Sequence, residues 1–298
     1  MNIKFPKKMK GQKWQKIYQR YYLNNNADDM HFPYVLNMLK YGGANVSFFD
    51  PTTSKNWKYI ESLESTTKFE IEVDGKSVLI DLADVQDDAR KTLPIISNFD
   101  AVFVVHWFDE IHDGLNNVFA LCPVNFANWE LFEKLRKNIN FTPTKNKLIL
   151  NNQRPMGDRW RREKTKTRID KKYPSQSDTK FYKGKQEQFF MNLNDALVSV
   201  HIPGCRDDIL DRGQTQMFGL GACTISPWMK EKFAWDAEVK AWGHYVPCEK
   251  DVSDVIDKIE WCIANPDKVK EIGDNAKKFF DDNIHPKKLV EWIEECLN

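Results

Sequence analysis

Residues Leu197 to Ser226, LVSVHIPGCRDDILDRGQTQMFGLGACTIS, constrain the fold of this chain more than any other stretch. The apolar run from Leu197 to Ile202, which carries His201, predicts a buried strand. Pro203-Gly204 ends it, and a charged loop leads to a helix starting near Arg212. Gly219 and Gly221 stop the helix before a second short strand from Ala222 to Ile225. Strand, loop, helix and strand is the repeating unit of a parallel α/β sheet, and its loop is where such a sheet offers backbone N–H groups and an Arg to a phosphate. The alternative reading is a βαβ crossover that binds nothing.

The rest of the chain repeats this grammar. Met1 to Lys13 and Ile17 to Leu23 are candidate strands. A helix from His31 to Tyr41 follows, with Asp29 as N-cap and Pro33 in its first turn, and Gly42-Gly43 ends it before a strand at Ala44 to Phe49. Trp57 to Ser65 predicts a helix. Phe69 to Val73 and Ser77 to Leu82 flank Asp74-Gly75 as a hairpin, because Asp-Gly supplies the positive φ that a two-residue turn requires. Ala101 to Val105 is apolar throughout, as a strand covered on both faces must be, and leads to polar His106 and Asp109. Trp129 to Arg136 predicts a helix. Near Thr142-Pro143-Thr144 the composition shifts, which places a domain boundary at about residue 145. Beyond it come a strand at Lys147 to Asn151, a very basic helix from Gly157 to Lys172, a helix at Gln186 to Leu193, and the opening stretch. Helices with an acidic first turn at Asp251 and Asp254, with an Asn265-Pro266 start, and at Leu289 to Leu297 close the chain. The fold class expected is α/β, with two Rossmann-like domains facing a central cleft: residues 1–145, residues 146–280, and a last helix, 281–298, packing back on the first.

The formal net charge is only +1, yet the charge is unevenly placed. Residues 2–20 hold seven Lys/Arg and no acid, and residues 145–172 hold eleven against Asp158, Glu163 and Asp170. Such patches suit a localised anionic ligand or a solvated helix face. The six cysteines (Cys122, Cys205, Cys223, Cys248, Cys262, Cys296) include no C-x-x-C, so neither a zinc site nor a disulfide framework is expected and a reducing compartment fits. There is no apolar signal core, and no run reaches the roughly 18 apolar residues of a membrane span. The expectation is a cytoplasmic protein.

Several sites are excluded by spacing. Phe218-Gly219-Leu220-Gly221 lacks the third glycine of a nicotinamide fingerprint and lies at a helix end, and neither G-x-x-x-x-G-K-[ST] nor H-E-x-x-H occurs. No Asp-x-Asp occurs either, so no metal ligands are assigned and no divalent-cation cofactor is expected.

The string His244-Tyr245-Val246-Pro247-Cys248-Glu249-Lys250-Asp251-Val252-Ser253-Asp254-Val255, with Trp261 and Asn265 after it, lies downstream of the basic loop, the Pro-Gly strand end and the Arg-bearing helix start. In this order the segments resemble the donor-binding half of GT-B glycosyltransferases, and are most similar to the capsule-associated and protein O-glucosyltransferase type, over roughly residues 147–285. The resemblance implies an enzyme that moves a sugar from a nucleoside-diphosphate donor, a co-substrate rather than a cofactor, to a hydroxyl of a glycan, protein or modified DNA acceptor. One departure is plain. The family's pattern ends the Arg helix with an acidic residue that contacts the nucleotide ribose, whereas this chain reads Arg212-Gly213-Gln214-Thr215-Gln216.

In such a transfer the leaving diphosphate gains negative charge, which Arg side chains and helix N-termini can meet without a metal. Arg212, Arg154 and Arg159 are the cations expected to do so. His201, Gly204 and Gln214 are further donor-binding candidates, and His244 and Tyr245 either border the sugar or brace the fold. The acceptor hydroxyl needs a base, for which Asp28, Asp29 and His31 are candidates in the loop after an early strand, with Asp109 in reserve. Asp29 reads equally well as a plain N-cap. The basic stretch from Arg154 to Lys172 with Trp160 also suits nucleic acid, since Lys and Arg neutralise phosphates and Trp stacks on bases. Two alternatives follow: a DNA glycosyltransferase acting on a hydroxylated base, and a non-catalytic nucleic-acid-binding Rossmann-like protein.

Overall fold

The computed structural model describes residues 1–7, 31–63, 67–83, 86–122, 129–138, 148–154, 159–181, 186–204, 210–229 and 237–298. At positions 31–34, 138, 159 and 186 it describes the backbone alone. The candidate strand at Ile17 to Leu23 lies outside these residues. The chain is α/β and forms two compact Rossmann-like units. One comprises Met1–Ala127 with His285–Asn298, the other Asn128–Ile284. The composition shift predicts the division near residue 145, whereas the contacts divide the chain at 127/128.

In the first unit, β1 (Asn2–Pro6), α1 (His31–Tyr41) and β2 (Asn45–Phe49) form the opening strand–helix–strand unit, with β1 and β2 parallel. Helix α2 (Trp57–Ser62) precedes the hairpin of β3 (Lys68–Val73) and β4 (Lys76–Asp81). Its turn has φ +47° at Asp74 and +88° at Gly75, which is why Asp-Gly stands there. Helix α3 (Gln86–Arg90), β5 (Ala101–Val104), the single turn α4 (Asp109–His112) and β6 (Val118–Ala120) follow. The sheet order is β2-β1-β3-β4-β5-β6, with β3 alone antiparallel to its neighbours. All four residues of β5 are buried, as its uninterrupted apolarity requires.

The carboxyl end of β4, beside the start of β3, holds a cluster that periodicity does not reveal. Lys68 is only 2% exposed, and its Nζ lies 3.0 Å from Asp81 Oδ1 and 3.3 Å from Asp88 Oδ2. Asp81 also accepts from Thr92 Oγ1 at 2.5 Å and Ala83 N at 2.9 Å. Burial raises the Asp81 pKa against the pull of Lys68.

The second unit contains α5 (Trp129–Asn138), β7 (Ile149–Leu150), α6 (Arg159–Lys172), β8 (Ser177–Asp178), α7 (Gln186–Asp195), β9 (Val198–Val200), α8 (Arg212–Gly219), β10 (Thr224–Pro227), β11 (Val246–Cys248), α9 (Val255–Ala264) and α10 (Pro266–Phe279). Among the described residues its five strands are all parallel, in the order β11-β10-β9-β7-β8. Ile149, Val200, Ile225, Val246, Val255 and Ile259 form part of its core. Helix α11 (Pro286–Leu297) belongs to the first unit, where Trp292 Nε1 donates to Ala120 O at 3.0 Å. No described helix is long and apolar enough to cross a membrane.

Candidate functional site

In the second unit β8 lies on one side of β7, while β9, β10 and β11 follow on the other. The direction of winding therefore reverses between β7 and β9. Connections leave that point on opposite faces, which opens a crevice beyond the carboxyl ends of the two strands. The segments that reach it are residues 151–154 after β7 and 201–204 after β9.

These segments are tied together by side-chain amides. Asn151 Nδ2 donates to Val200 O at 2.9 Å, and Asn152 Nδ2 to Asp178 O at 3.0 Å. Gln153 grips the next residue at both backbone groups: Oε1 accepts from Ile202 N at 2.6 Å and Nε2 donates to Ile202 O at 2.8 Å. The same Nε2 lies 3.2 Å from His201 Nδ1. Since an amide nitrogen can only donate, Nδ1 accepts and the imidazole carries its proton on Nε2. That nitrogen is 2.7 Å from Asp211 Oδ1.

Asp211 is the N-cap of α8, and its Oδ1 also accepts from Gly213 N at 2.8 Å and Gln214 N at 3.0 Å. Burial works against the carboxylate's charge. The adjacent His201, the helix amides and Arg162 outweigh it and hold the pKa well below the usual carboxylate range. Gly213 packs on the imidazole so closely that a Cβ there would lie 2.6 Å from His201 Cε1. Arg162, from α6, donates from Nε to Ile202 O and from Nη1 to Arg154 O, both at 2.9 Å. Its Nη2 stands 3.4 Å from where a Cβ on Gly204 would be.

The donor-side candidates thus separate. Arg154, Gly204 and His201 sit on the two segments that reach this crevice, with Arg154 exposed, and Arg212 is half-buried at the first turn of α8, next to Asp211. Gln214 points the other way: fully buried, it donates from Nε2 to Thr224 Oγ1 at 3.2 Å. Tyr245 is buried and its hydroxyl accepts from Met229 N at 3.0 Å. His244 accepts at Nδ1 from Lys240 N at 3.0 Å and packs on Phe279, and burial, then Lys240, lowers its pKa. Both residues brace the turn before β11. Arg159 opens α6, but its side chain lies outside the described residues, as do Asp28, Asp29 and the His31 side chain. Asp109 is exposed at the start of α4. Gln153, Arg162 and Asp211 are the residues that sequence reading missed. Asp211 had a signal, an Asp directly before a helix start, and Gln153 a weaker one, a run of amides after an apolar strand. Arg162 had none.

The basic helix α6 is largely committed within the unit. Arg161 Nη1 donates to Lys250 O at 2.9 Å, Lys164 Nζ to Asp251 O at 2.9 Å, and Arg168 to Val252 O at 2.6 Å and Ser253 O at 2.8 Å. Four successive carbonyls are taken by cations of one helix. They hold a loop in which Val252 has φ +56°, a left-handed conformation that a β-branched residue avoids. The same loop delays α9, which begins at Val255 rather than at the acidic turn expected from Asp251. Cations already donating to carbonyls are poorly placed to grip phosphates, so the DNA-acceptor alternative gains no support from α6. Trp160, 58% exposed, has Lys164 over its ring.

Comparison with known proteins adds a sequence pattern to this geometry. Uncharacterized protein 035R of Invertebrate iridescent virus 3 is 35% identical over 60 residues, 20% of this chain and 6% of that protein. Uncharacterized protein 179R of Invertebrate iridescent virus 6 is 32% identical over 85 residues, 26% of this chain and 7% of that protein. The matched stretch thus spans less than a tenth of either viral protein. Among solved structures, the chain is similar to a glycosyltransferase from Rickettsia africae ESF-5, at TM-score 0.49 and 12% identity over 92% of this chain and 80% of that one. It is also similar to Anabaena Alr3699/HepE in complex with UDP and glucose, at TM-score 0.48 and 12% identity over 71% and 66%. Residues 225–298, from β10 to the C-terminus, match the model of Glycosyl transferase family 90.

Proposed function

We propose that this chain is a glycosyltransferase that moves a sugar from a nucleoside-diphosphate donor to a hydroxyl acceptor, with the donor held in the second unit. The observation that carries the reading is the reversal of winding between β7 and β9, with Arg154 on the segment after β7 and Arg212 at the start of α8, whose N-cap Asp211 is 2.7 Å from His201 on the segment after β9. The family 90 pattern begins at residue 225, on the strand that follows α8, and supports the same reading. The earlier family likeness to capsule-associated and protein O-glucosyltransferases is a finer statement of it.

In this reaction the bond from the anomeric carbon to the diphosphate oxygen breaks, and its electron pair leaves with the diphosphate. The acceptor oxygen bonds to the anomeric carbon and gives its proton to a base drawn from Asp28, Asp29, His31 or Asp109. Arg212, Arg154 and Arg159 meet the growing negative charge of the leaving group, as fixed cations in a partly desolvated crevice do best, and no metal is required. The co-substrate is a UDP-sugar or another nucleoside-diphosphate sugar. A glycan or protein hydroxyl is the acceptor favoured.

The test is thermal shift with a panel of nucleoside diphosphates, followed by mass spectrometry of donor hydrolysis across a sugar-nucleotide panel. At least one diphosphate should raise the melting temperature, and Arg212→Ala should lower donor turnover about tenfold or more. No shift with any nucleotide, together with unchanged turnover in Arg212→Ala, would sink the proposal.

A further inference from the structure

The two faces of the second unit's sheet differ in kind. On one, Val198, Val200, Ile225 and Val246 pack into the core. On the other, β9 and β10 present Ser199, Thr224 and Ser226, which alternate with those apolar residues along the strands. Ser199 and Thr224 stand side by side in the parallel register, and Ser226 follows Thr224 on the same face of β10. Gln214, from the first turn of α8, covers them and donates from Nε2 to Thr224 Oγ1 at 3.2 Å. None of the four residues is more than 1% exposed. Yet among the described residues Gln214 Oε1, Ser199 Oγ and Ser226 Oγ have no hydrogen-bond partner.

Three such atoms grouped around one threonine are too many to be left unmatched, because each forfeits its hydrogen bonds to solvent on folding. Gln214 also has a local alternative. At the third position of a helix capped by Asp211, its amide could reach back to the backbone N–H of the cap, whereas it is turned into the sheet. Turning the amide over would only leave its nitrogen unmatched in place of its oxygen. The three small side chains also leave more room beneath α8 than the valines and isoleucine of the other face would.

We propose that an internal water site lies between α8 and the strands β9 and β10, held by Gln214, Ser199 and Ser226. The donors and acceptors suit one molecule. A water accepts from the two serine hydroxyls and donates to Gln214 Oε1, which makes the roughly three bonds typical of a buried water and leaves one O–H for Thr224 Oγ1. The first turn of α8, which carries Arg212, thus rests on a hydrogen-bonded floor, whereas Phe218 in the next turn packs on Phe279. Nothing in this site depends on what the crevice binds.

The experiment is a high-resolution crystal structure of the full chain, with melting temperatures of Ser199→Ala, Ser226→Ala and the double variant. A solvent peak within hydrogen-bond distance of Gln214 Oε1 and both serine hydroxyls is expected. Each single substitution should lower the melting temperature by about 2–4 °C, because it removes one of the water's bonds. The double variant should lose clearly less than the sum, since both hydroxyls hold the same molecule. A crystal structure with no solvent peak there, or with the three atoms bonded directly to protein groups, overturns the proposal. So does a melting temperature that stays level or rises in the single variants, the outcome for hydroxyls with nothing to hold. Additive losses overturn it too, since altered strand propensity alone would give them.

Discussion

Arg136 Nε donates to the carbonyl oxygen of Gly219 at 2.8 Å, so a cation of α5 closes the C-terminal end of α8. The guanidinium also bonds Glu133 Oε1 at 2.7 Å and pairs with Asp281, and its Cζ lies 5.5 Å and 4.9 Å from the ring centroids of Phe132 and Phe280. Its side chain is almost fully buried, so its loss leaves Glu133 and a helix end unmatched and Asp281 with Lys277 as its remaining cation at 2.9 Å. Arg136→Ala should lower stability by about 2–3 kcal/mol in urea unfolding. Arg136→Lys should recover less than half of that, since an ammonium lacks the planar fork that reaches all three acceptors at once.

Gly213 and Gly204 flank the same crevice but differ in room. A Cβ on Gly213 would lie 2.6 Å from His201 Cε1, against 3.4 Å from Arg162 Nη2 for one on Gly204. Gly213→Ala should push the imidazole away from Asp211, lower the melting temperature by several degrees and weaken nucleotide binding about tenfold. Gly204→Ala should do neither. Equal effects of the two substitutions in thermal shift and calorimetry would contradict this account of the packing.

The Lys68–Asp81 pair joins the start of β3 to the end of β4, two interior strands, with both side chains essentially inaccessible. Removing one partner strands the other in a medium that penalises charge. Lys68→Met should therefore cost about 3 kcal/mol by chemical denaturation. In Lys68→Met/Asp81→Asn most of that loss should return, because the stranded carboxylate is gone. A double variant less stable than the single one would show that Asp81 is held mainly by Thr92 and Ala83.

Acidification should destabilise the second unit in two stages. His244 has a folded pKa below its ordinary 6.5, because burial and Lys240 disfavour the imidazolium. The unfolded chain therefore binds that proton first, and the stability tied to His244 is present above pH 6.5 and lost as pH falls through the folded pKa. Asp211 has a folded pKa below its ordinary 3.8, so its contribution is intact above that value and is lost only in stronger acid. Melting curves from pH 8 to pH 3 should show His244→Gln flattening the first limb and Asp211→Asn the second.

Much of the fold was legible from local pattern. The hairpin at Asp74-Gly75, β5 and its burial, and the helices at 31–41 and 212–219 follow from periodicity, turn chemistry and glycine stops, which act within a few residues. The division of the chain was less legible. The composition shift near residue 145 follows a charge run, but α5 has its buried partners, Gly219 and Phe280, far ahead in sequence. At the candidate site, the positions of Arg212 at a helix start and Arg154 after a strand were legible from local pattern. Arg162 was not, because it lies in a run of basic residues whose individual partners only folding assigns.

The sequence by itself determined the α/β alternation, the turns and the helix starts, because those depend on residues close together in the chain. It also determined which chemistry was available between residues 197 and 226, including an Asp before a helix and a glycine after an Arg. What only the tertiary structure decided is how those groups are used. The strand order put Gln153 beside His201 across a gap of 48 residues, and the loop after β9 brought Asp211 back onto His201 from ten residues on. Once Asp211 Oδ1 took the amides of Gly213 and Gln214, a helix start that reads from sequence as an anion site presented a carboxylate instead. The physical reason is that hydrogen-bonding capacity is finite, and which partner fills it is settled by packing rather than by spacing along the chain.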